Sequence, residues 1–473
     1  MKIVFAVFEC VPFVKVGGLA DVAGTLPEYL RQSGQEIIVV LPLHKQVDKK
    51  KFKLINLNRQ LIIPVGNEYL TAGVWRCKRD NSVPVYFIEN DRYFGREPVY
   101  GNEFGEYPDN SDRLIFFNRS VFEICKSIGF KPDIIHCNDM QTGLIPAYLK
   151  TLYRIDSFFS DTKTVYEIHN IVYQGLYSAV AYFRAGFDWV DFTVDRLEYY
   201  GQVNFTKSGI NYAGKIITVS PAYAREIQSS AKYGHGMEGI LTSRSSDITG
   251  ILNGIDYDIW NPEKDKFIVS NYSIKTLQGK QLCKSDLLKN CGLPDNGSVV
   301  IGMVSRLDSI KGFDLIIDII DKIMELPVQL VILGSGNEYY STRLKKFMNK
   351  YREKLSYNPG FNDELAHKIY AGSDIFLMPS ETEPCGLSQL IALRYGTIPI
   401  VHKTGGLADT IDSEYGISFD MFNSGKLYNT IIESIDMYKD RLKWNKMITA
   451  AMKKRFSWDK SVKQYLKVYN SLI

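Results

Sequence analysis

Nowhere in the 473 residues do apolar positions run for the roughly 20 that a membrane-spanning helix needs. Blocks of five or more like charges are missing too, and the formal net charge is only +4, so the sequence implies neither a membrane nor nucleic acid as partner. Lys49 to Lys51 reads as a solvated loop. The seven cysteines are odd in number and never spaced C-x-x-C, which excludes a zinc knuckle or a disulfide framework and points to reduced thiols in a cytosol. Each is taken as a small apolar filler. Serine-triad and P-loop patterns are also absent. The opening run KIVFAVF is too short for a signal-peptide core and meets Glu9 almost at once, so it is expected to be a first buried strand. What the chain does have is ordinary: 45% hydrophobic and 23% charged residues, enough to bury large cores. Its length fits two domains, with a cleft expected between them.

Short β-branched runs alternate with amphipathic segments, the pattern of βαβ units around a parallel sheet, and the pattern occurs twice. In the first half the expected strands are 2–8, 36–41, 133–137, 164–169 and 215–219. Ser220-Pro221 then opens a helix, with Ser as cap and Pro at the first helical position. The second half places strands at 298–304, 328–333, 374–378 and 397–401, with helices at 312–326 and 365–371. The Asn/Gly/Pro-rich segment GILNGIDYDIWNP marks the boundary and a hinge. Two doubly wound domains are therefore expected, 1–250 and 251–457, with an amphipathic closing helix in 458–473 grouped with the first. Asp256-Tyr257-Asp258 has the D-x-D form of a divalent-cation site but lies in this turn-rich segment, so turn chemistry is the preferred reading and no metal is expected.

One short repeat stands out. KVGGLAD at Lys15 to Asp21 returns as KTGGLAD at Lys403 to Asp409. Paired glycines after strands allow backbone amides to approach an anion; for either copy alone a tight turn explains them equally well, but the two together favour phosphate binding. In VSRLDSIKGFDL, Arg306 and Lys311 fall on a loop between a buried strand and a helix. Two cations there suit a diphosphate, at roughly 1.5–3 kcal/mol per charge-assisted contact. Glu381 and Glu383 occupy a short loop between a strand ending near Met378 and a helix expected to begin near Gly386. Glu381 reads as a first-turn helix stabiliser, while Glu383 is the candidate acceptor for sugar hydroxyls beside the amides of Gly386 and Leu387. His136, Asp139 and His169 fall at strand ends. His169 is placed to donate to a sugar oxygen, and His136 is expected to pack.

Together these segments resemble the bacterial glycogen synthase and plant starch synthase family. The likeness runs through KVGGLADVAGTLP, YGNEFGEYPDNSDRLIFF, HCNDMQTGL, IHNIVYQG, KIITVSPAYAREI, GILNGID, SRLDSIKG, EPCGL, RYGTIPIV and TGGLADT, almost the whole chain. It implies the two-Rossmann GT-B architecture. It also implies retaining, metal-independent and cofactor-free transfer of glucose from ADP-glucose, less often UDP-glucose, to the non-reducing end of an α-1,4-glucan. A bacterial cytosol is favoured over a plastid. By resemblance Lys15, Arg306 and Lys311 meet the donor phosphates, with Gly17, Gly18, Thr404, Gly405 and Gly406. Glu383, His169 and Asn253 meet the glucosyl group, and Cys385, Gly386 and Leu387 belong to the donor side. Asp139 and Asp21 lie near the reaction centre, Asp21 with Glu9 on the acceptor side, and Phe361 stacks on the base. Two departures are Met140, where the family has Trp, and Phe361, where Tyr is common. A glucan phosphorylase would need a buried lysine for a pyridoxal cofactor, and no segment matches one. A glucan-binding paralogue without activity is the other alternative, against which the joint presence of Lys15, Arg306, Lys311 and Glu383 argues.

Overall fold

The computed structural model describes residues 1–77, 82–102 and 105–473. Glu103 and Phe104 of the YGNEFGEYPDN segment lie outside the described residues. Two compact units emerge, Met1–Leu252 together with Trp458–Ile473, and Asn253–Ser457.

The first unit is built on one nine-stranded sheet. Lys2–Ala6 lies centrally, parallel to Glu36–Pro42 on one side and to Ile134–Asn138 on the other. Beyond Ile134–Asn138 follow Lys163–Ile168, Lys215–Thr218 and Ile248–Gly250, all parallel. Ile3 to Phe8 are wholly buried, as expected of a parallel strand covered on both faces. The helix Gly18–Gln32 lays Leu19, Val22, Ala23, Leu26 and Leu30 inward at helical spacing. Ser220 caps Pro221–Ser229, its hydroxyl accepting from the Tyr223 amide at 3.1 Å.

The sequence reading missed the other edge of this sheet. Val85–Glu89 continues the parallel order, but Glu68–Cys77 is antiparallel to it, and Ile55–Val65 pairs antiparallel with Glu68–Cys77 at the edge. The reason is physical: most of Ile55–Gln60 is exposed and polar, so no buried apolar run announces the strand. The closing helix Trp458–Asn470 buries Trp458, Val462, Tyr465, Val468 and Tyr469. Ser461 ties it to the Leu252 carbonyl.

The second unit has a six-stranded, wholly parallel sheet in the order Leu355–Pro359, Val328–Gly334, Val299–Val304, Ile375–Met378, Ile398–His402, Ile417–Phe419. Its first and last strands were not anticipated. Phe313–Glu325 packs Phe313, Ile316, Ile319, Ile320 and Ile323 on the sheet. A buried ion pair between Lys284 and Asp374 (2.6 Å) anchors Gln278–Asn290, and the same carboxylate accepts from the Val300 amide at 2.8 Å.

Candidate functional site

In doubly wound sheets, ligands bind beyond the carboxyl ends of the strands where the strand order reverses. In the first unit that point lies between Lys2–Ala6 and Ile134–Asn138. The loop after Lys2–Ala6 carries Glu9, Lys15 and Gly17. Glu9 is 3% exposed and accepts from the amides of Val16 (2.5 Å) and Gly17 (2.9 Å) and from the Tyr100 hydroxyl (3.2 Å). Burial raises its pKa against these three donors. Glu9 therefore holds the glycine loop in place. Lys15 forms an ion pair with Asp21 at 2.7 Å, both partly exposed.

Asp139 follows Ile134–Asn138 with φ 53° and ψ −173°, a region that costs a non-glycine residue about 1–3 kcal/mol. In that posture its carboxylate accepts from the backbone amide of His169 at 2.7 Å. Burial raises the Asp139 pKa in spite of the attraction of His169. The glucosyl candidate His169, just beyond Lys163–Ile168, thus has its backbone fixed by Asp139. Met140 is buried, and a Cβ at Gly175 would lie 3.2 Å from its sulfur, so the residue that replaces the family's Trp is a core residue. His136 is wholly buried, as expected.

In the second unit the order reverses between Val299–Val304 and Ile375–Met378. Loops from both strands enclose a cavity of about 150 Å³ lined by Arg306, Lys311, Ser380, Glu383, Gly386 and Leu387 among others. The Lys311 ammonium lies 2.7 Å from Glu383, and the Ser380 hydroxyl donates to the same carboxylate oxygen at 3.0 Å. Arg306 is exposed, and its guanidinium has no acidic partner among the described residues. Gly386 and Leu387 precede a helix of seven residues, Ser388–Arg394, which starts later than the sequence suggested. Cys385 is buried.

The two glycine copies differ once folded. In the first, a Cβ at Gly18 would meet nothing within 4 Å, and one at Gly17 only Glu9 at 3.5 Å. In the second, a Cβ would lie 2.1 Å from the Glu383 carbonyl oxygen at Gly405 and 2.1 Å from that of Cys385 at Gly406. Several amides expected to meet phosphate are engaged inside the protein: Gly17 donates to Glu9, Thr404 to the His402 carbonyl (3.0 Å) and Gly406 to the Glu383 carbonyl (3.0 Å). The second copy packs tightly against the EPCGL loop. Gly406→Ala is accordingly expected to cost about 1–3 kcal/mol by overpacking and to lower Tm by about 4–10 °C. Gly18→Ala should leave Tm nearly unchanged, and scanning calorimetry of both variants checks the contrast.

Phe361 is 74% exposed on the loop between Leu355–Pro359 and Asp363–Gly372. Asn253 is buried, and its side-chain oxygen has no hydrogen-bond partner among the described residues. Asp256 accepts from the Asp258 amide at 2.7 Å, which is turn chemistry, and among the described residues no His, Cys, Asp or Glu cluster suits a metal. Also among the described residues, no helix is long and apolar enough to cross a membrane. Tyr100, Ser380 and Glu167, which adjoin Glu9, Glu383 and His169, were missed: Tyr100 meets Glu9 across 91 residues, Glu167 is one residue of a buried strand, and Ser380 is one hydroxyl in a short loop that no spacing singles out.

Residues 2–243 match the starch synthase catalytic domain model, and residues 287–454 match glycosyl transferases group 1. Glycogen synthases of Geotalea uraniireducens and Thermotoga petrophila are each 43% identical to this chain, over 99% and 100% of it and 98% and 99% of their own lengths. The chain belongs to the glycogen and starch synthase family. It is a glycosyltransferase with the two-domain GT-B fold. The catalytic domain of starch synthase IV from Arabidopsis thaliana, solved with ADP and acarbose bound, is 31% identical with a TM-score of 0.92, covering 100% of this synthase chain and 99% of its own. A sucrose-phosphate synthase from Thermosynechococcus elongatus, 16% identical with a TM-score of 0.61 over 100% of this chain and 98% of its own, shares the fold.

Proposed function

We propose that this chain lengthens an α-1,4-glucan at its non-reducing end, transferring glucose from ADP-glucose with retention of configuration. The observation that carries this reading is the cluster of Arg306, Lys311 and Glu383 around one cavity at the strand-order reversal. Breaking the glucose–phosphate bond gathers negative charge on the departing diphosphate. Cations fixed in advance lower that barrier without reorganising in the transition state. Lys311 is fixed by Glu383, and Arg306 offers a planar fork for phosphate oxygens. Lys15 is assigned to the donor phosphates on family resemblance, with Gly18. Glu383, Asn253 and His169 are assigned to the glucosyl group, Asp139 to the developing cationic sugar, and Phe361 to the base. Attack comes from the face that the diphosphate leaves, with a phosphate oxygen taking the acceptor proton. The relatives at 43% identity are bacterial, and we place the reaction in a bacterial cytoplasm.

The ADP bound in the Arabidopsis starch synthase supports the choice of donor, and its acarbose supports a glucan acceptor. Nucleoside diphosphate release, measured with ADP-glucose or UDP-glucose and with or without glycogen, tests the reading. We expect glycogen-dependent ADP release, with the new glucose released within maltose by an exo-acting β-amylase. Faster turnover of UDP-glucose would overturn the donor, and release of neither nucleotide would overturn the activity.

A further inference from the structure

Glu167 has no exposed surface and sits at the centre of a hydrogen-bonded chain that the reaction, as derived so far, does not use. Two of its neighbours arrive from the closing helix. The Tyr465 hydroxyl donates to Glu167 Oε1 at 2.6 Å. His136 Nε2 lies 2.7 Å from Glu167 Oε2, and its Nδ1 lies 2.8 Å from the Tyr469 hydroxyl. Every polar atom of this chain is satisfied if Tyr469 donates to His136 and His136 donates to Glu167. On the other side, His169 Nε2 lies 3.9 Å from Glu167 Oε1 and 2.9 Å from Asn138 Oδ1.

The amide of Asn138 cannot be turned around without loss, because its NH₂ donates to the Ala6 carbonyl at 2.9 Å. An oxygen therefore faces His169. Two oxygens, one on a carboxylate, confront Nε2, and that nitrogen must carry the ring proton. Nδ1 makes no hydrogen bond among the described residues and is the ring nitrogen left for a ligand.

We propose that Asn138 and Glu167, the latter seated by Tyr465 and His136, are positioning residues that keep the His169 proton on Nε2, so that Nδ1 meets the transferred glucose as an acceptor of a hydroxyl proton. This rests on the reading of His169 as a glucosyl contact, and it reverses the direction of the hydrogen bond that the sequence suggested. A buried carboxylate is costly to hold ionised. Glu167 offsets that cost by accepting from the Tyr465 hydroxyl and from His136, donors that favour the charged form. The anion is thereby kept beside His169, a second-sphere arrangement of the kind that fixes imidazole tautomers elsewhere.

With only six histidines in the chain, long-range ¹⁵N spectra of histidine-labelled protein can read each tautomer, His169→Ala identifying the His169 signals. The expected result is the Nε2–H form in wild type and loss of that single form in Glu167→Gln, whose amide can donate to Nε2. In the same variant kcat should fall by about 10-fold or more, with KM for ADP-glucose within about threefold of wild type. Should Glu167→Gln not fold, Tyr465→Phe keeps the ring and removes one hydroxyl, and a kcat loss of about threefold or more is expected. An Nδ1–H tautomer in wild type overturns the inference. So does a normal kcat in the folded variant while His169→Ala is impaired. If His169→Ala itself is fully active, the assignment of His169 to the sugar fails, and this inference falls with it.

Discussion

Arg306→Ala is expected to lower kcat/KM for ADP-glucose by roughly 10²–10³-fold while moving Tm by no more than about 1–2 °C. The two halves of that expectation come from one fact: the guanidinium is exposed and engages no carboxylate among the described residues. Its removal takes away the proposed phosphate ligand and leaves no carboxylate among the described residues without its cation. Lys311 offers the control. It pairs with Glu383, whose side chain is only 10% exposed, at 2.7 Å. Lys311→Ala should cause a similar loss of activity and also leave a mostly buried carboxylate without its cation, at a cost of about 1–3 kcal/mol. Kinetics and melting curves for both variants check this. An Arg306→Ala enzyme with near-normal kcat/KM would remove the electrostatic account of diphosphate departure, whatever happened to Lys311→Ala.

The same contrast shows which parts of the molecule could be read from its sequence. The central parallel strands were legible because each is a short run buried along almost all its length, such as Val299–Val304, and burial on both faces leaves no polar residue to interrupt it. Ile55–Val65 was not legible, because its first half faces solvent and pairs across a shifted register at Asn56 and Gln60. At the site, residue type and loop position were enough to single out Arg306, Lys311 and Glu383. Equal roles for the two GGLAD copies were suggested by the repeat, and only packing separates them: one leaves room around Gly18, and the other presses Gly405 and Gly406 against the backbone of Glu383 and Cys385. The chain through Glu167 was invisible for a different reason. Tyr465 meets it across 298 residues of sequence, and no periodicity records a contact of that range.

Asp139→Asn should separate function from stability in opposite directions. Stabilisation of a sugar that becomes cationic needs a negative charge nearby, so the neutral amide is expected to lower kcat by about 10²-fold or more. The fold itself should gain. Asp139 titrates above its ordinary 3.8 in the folded chain, chiefly because it is buried, so the native state binds this proton more tightly than the unfolded chain does. The stabilisation that follows is complete below pH 3.8 and is lost as pH rises through the raised folded value. Asn has no proton to lose, so the Tm of the variant relative to wild type should rise between about pH 4 and pH 7. Glu9, also raised by burial, feels the Asp139 charge as well; the variant relieves that repulsion, which adds to the same trend. The Asn side-chain oxygen can still accept from the His169 amide, and Asn tolerates positive φ better than most residues, so the backbone posture at this position should survive. A variant that melts lower than wild type at neutral pH would show that the carboxylate stabilises the fold, and an unchanged kcat would remove Asp139 from the reaction centre.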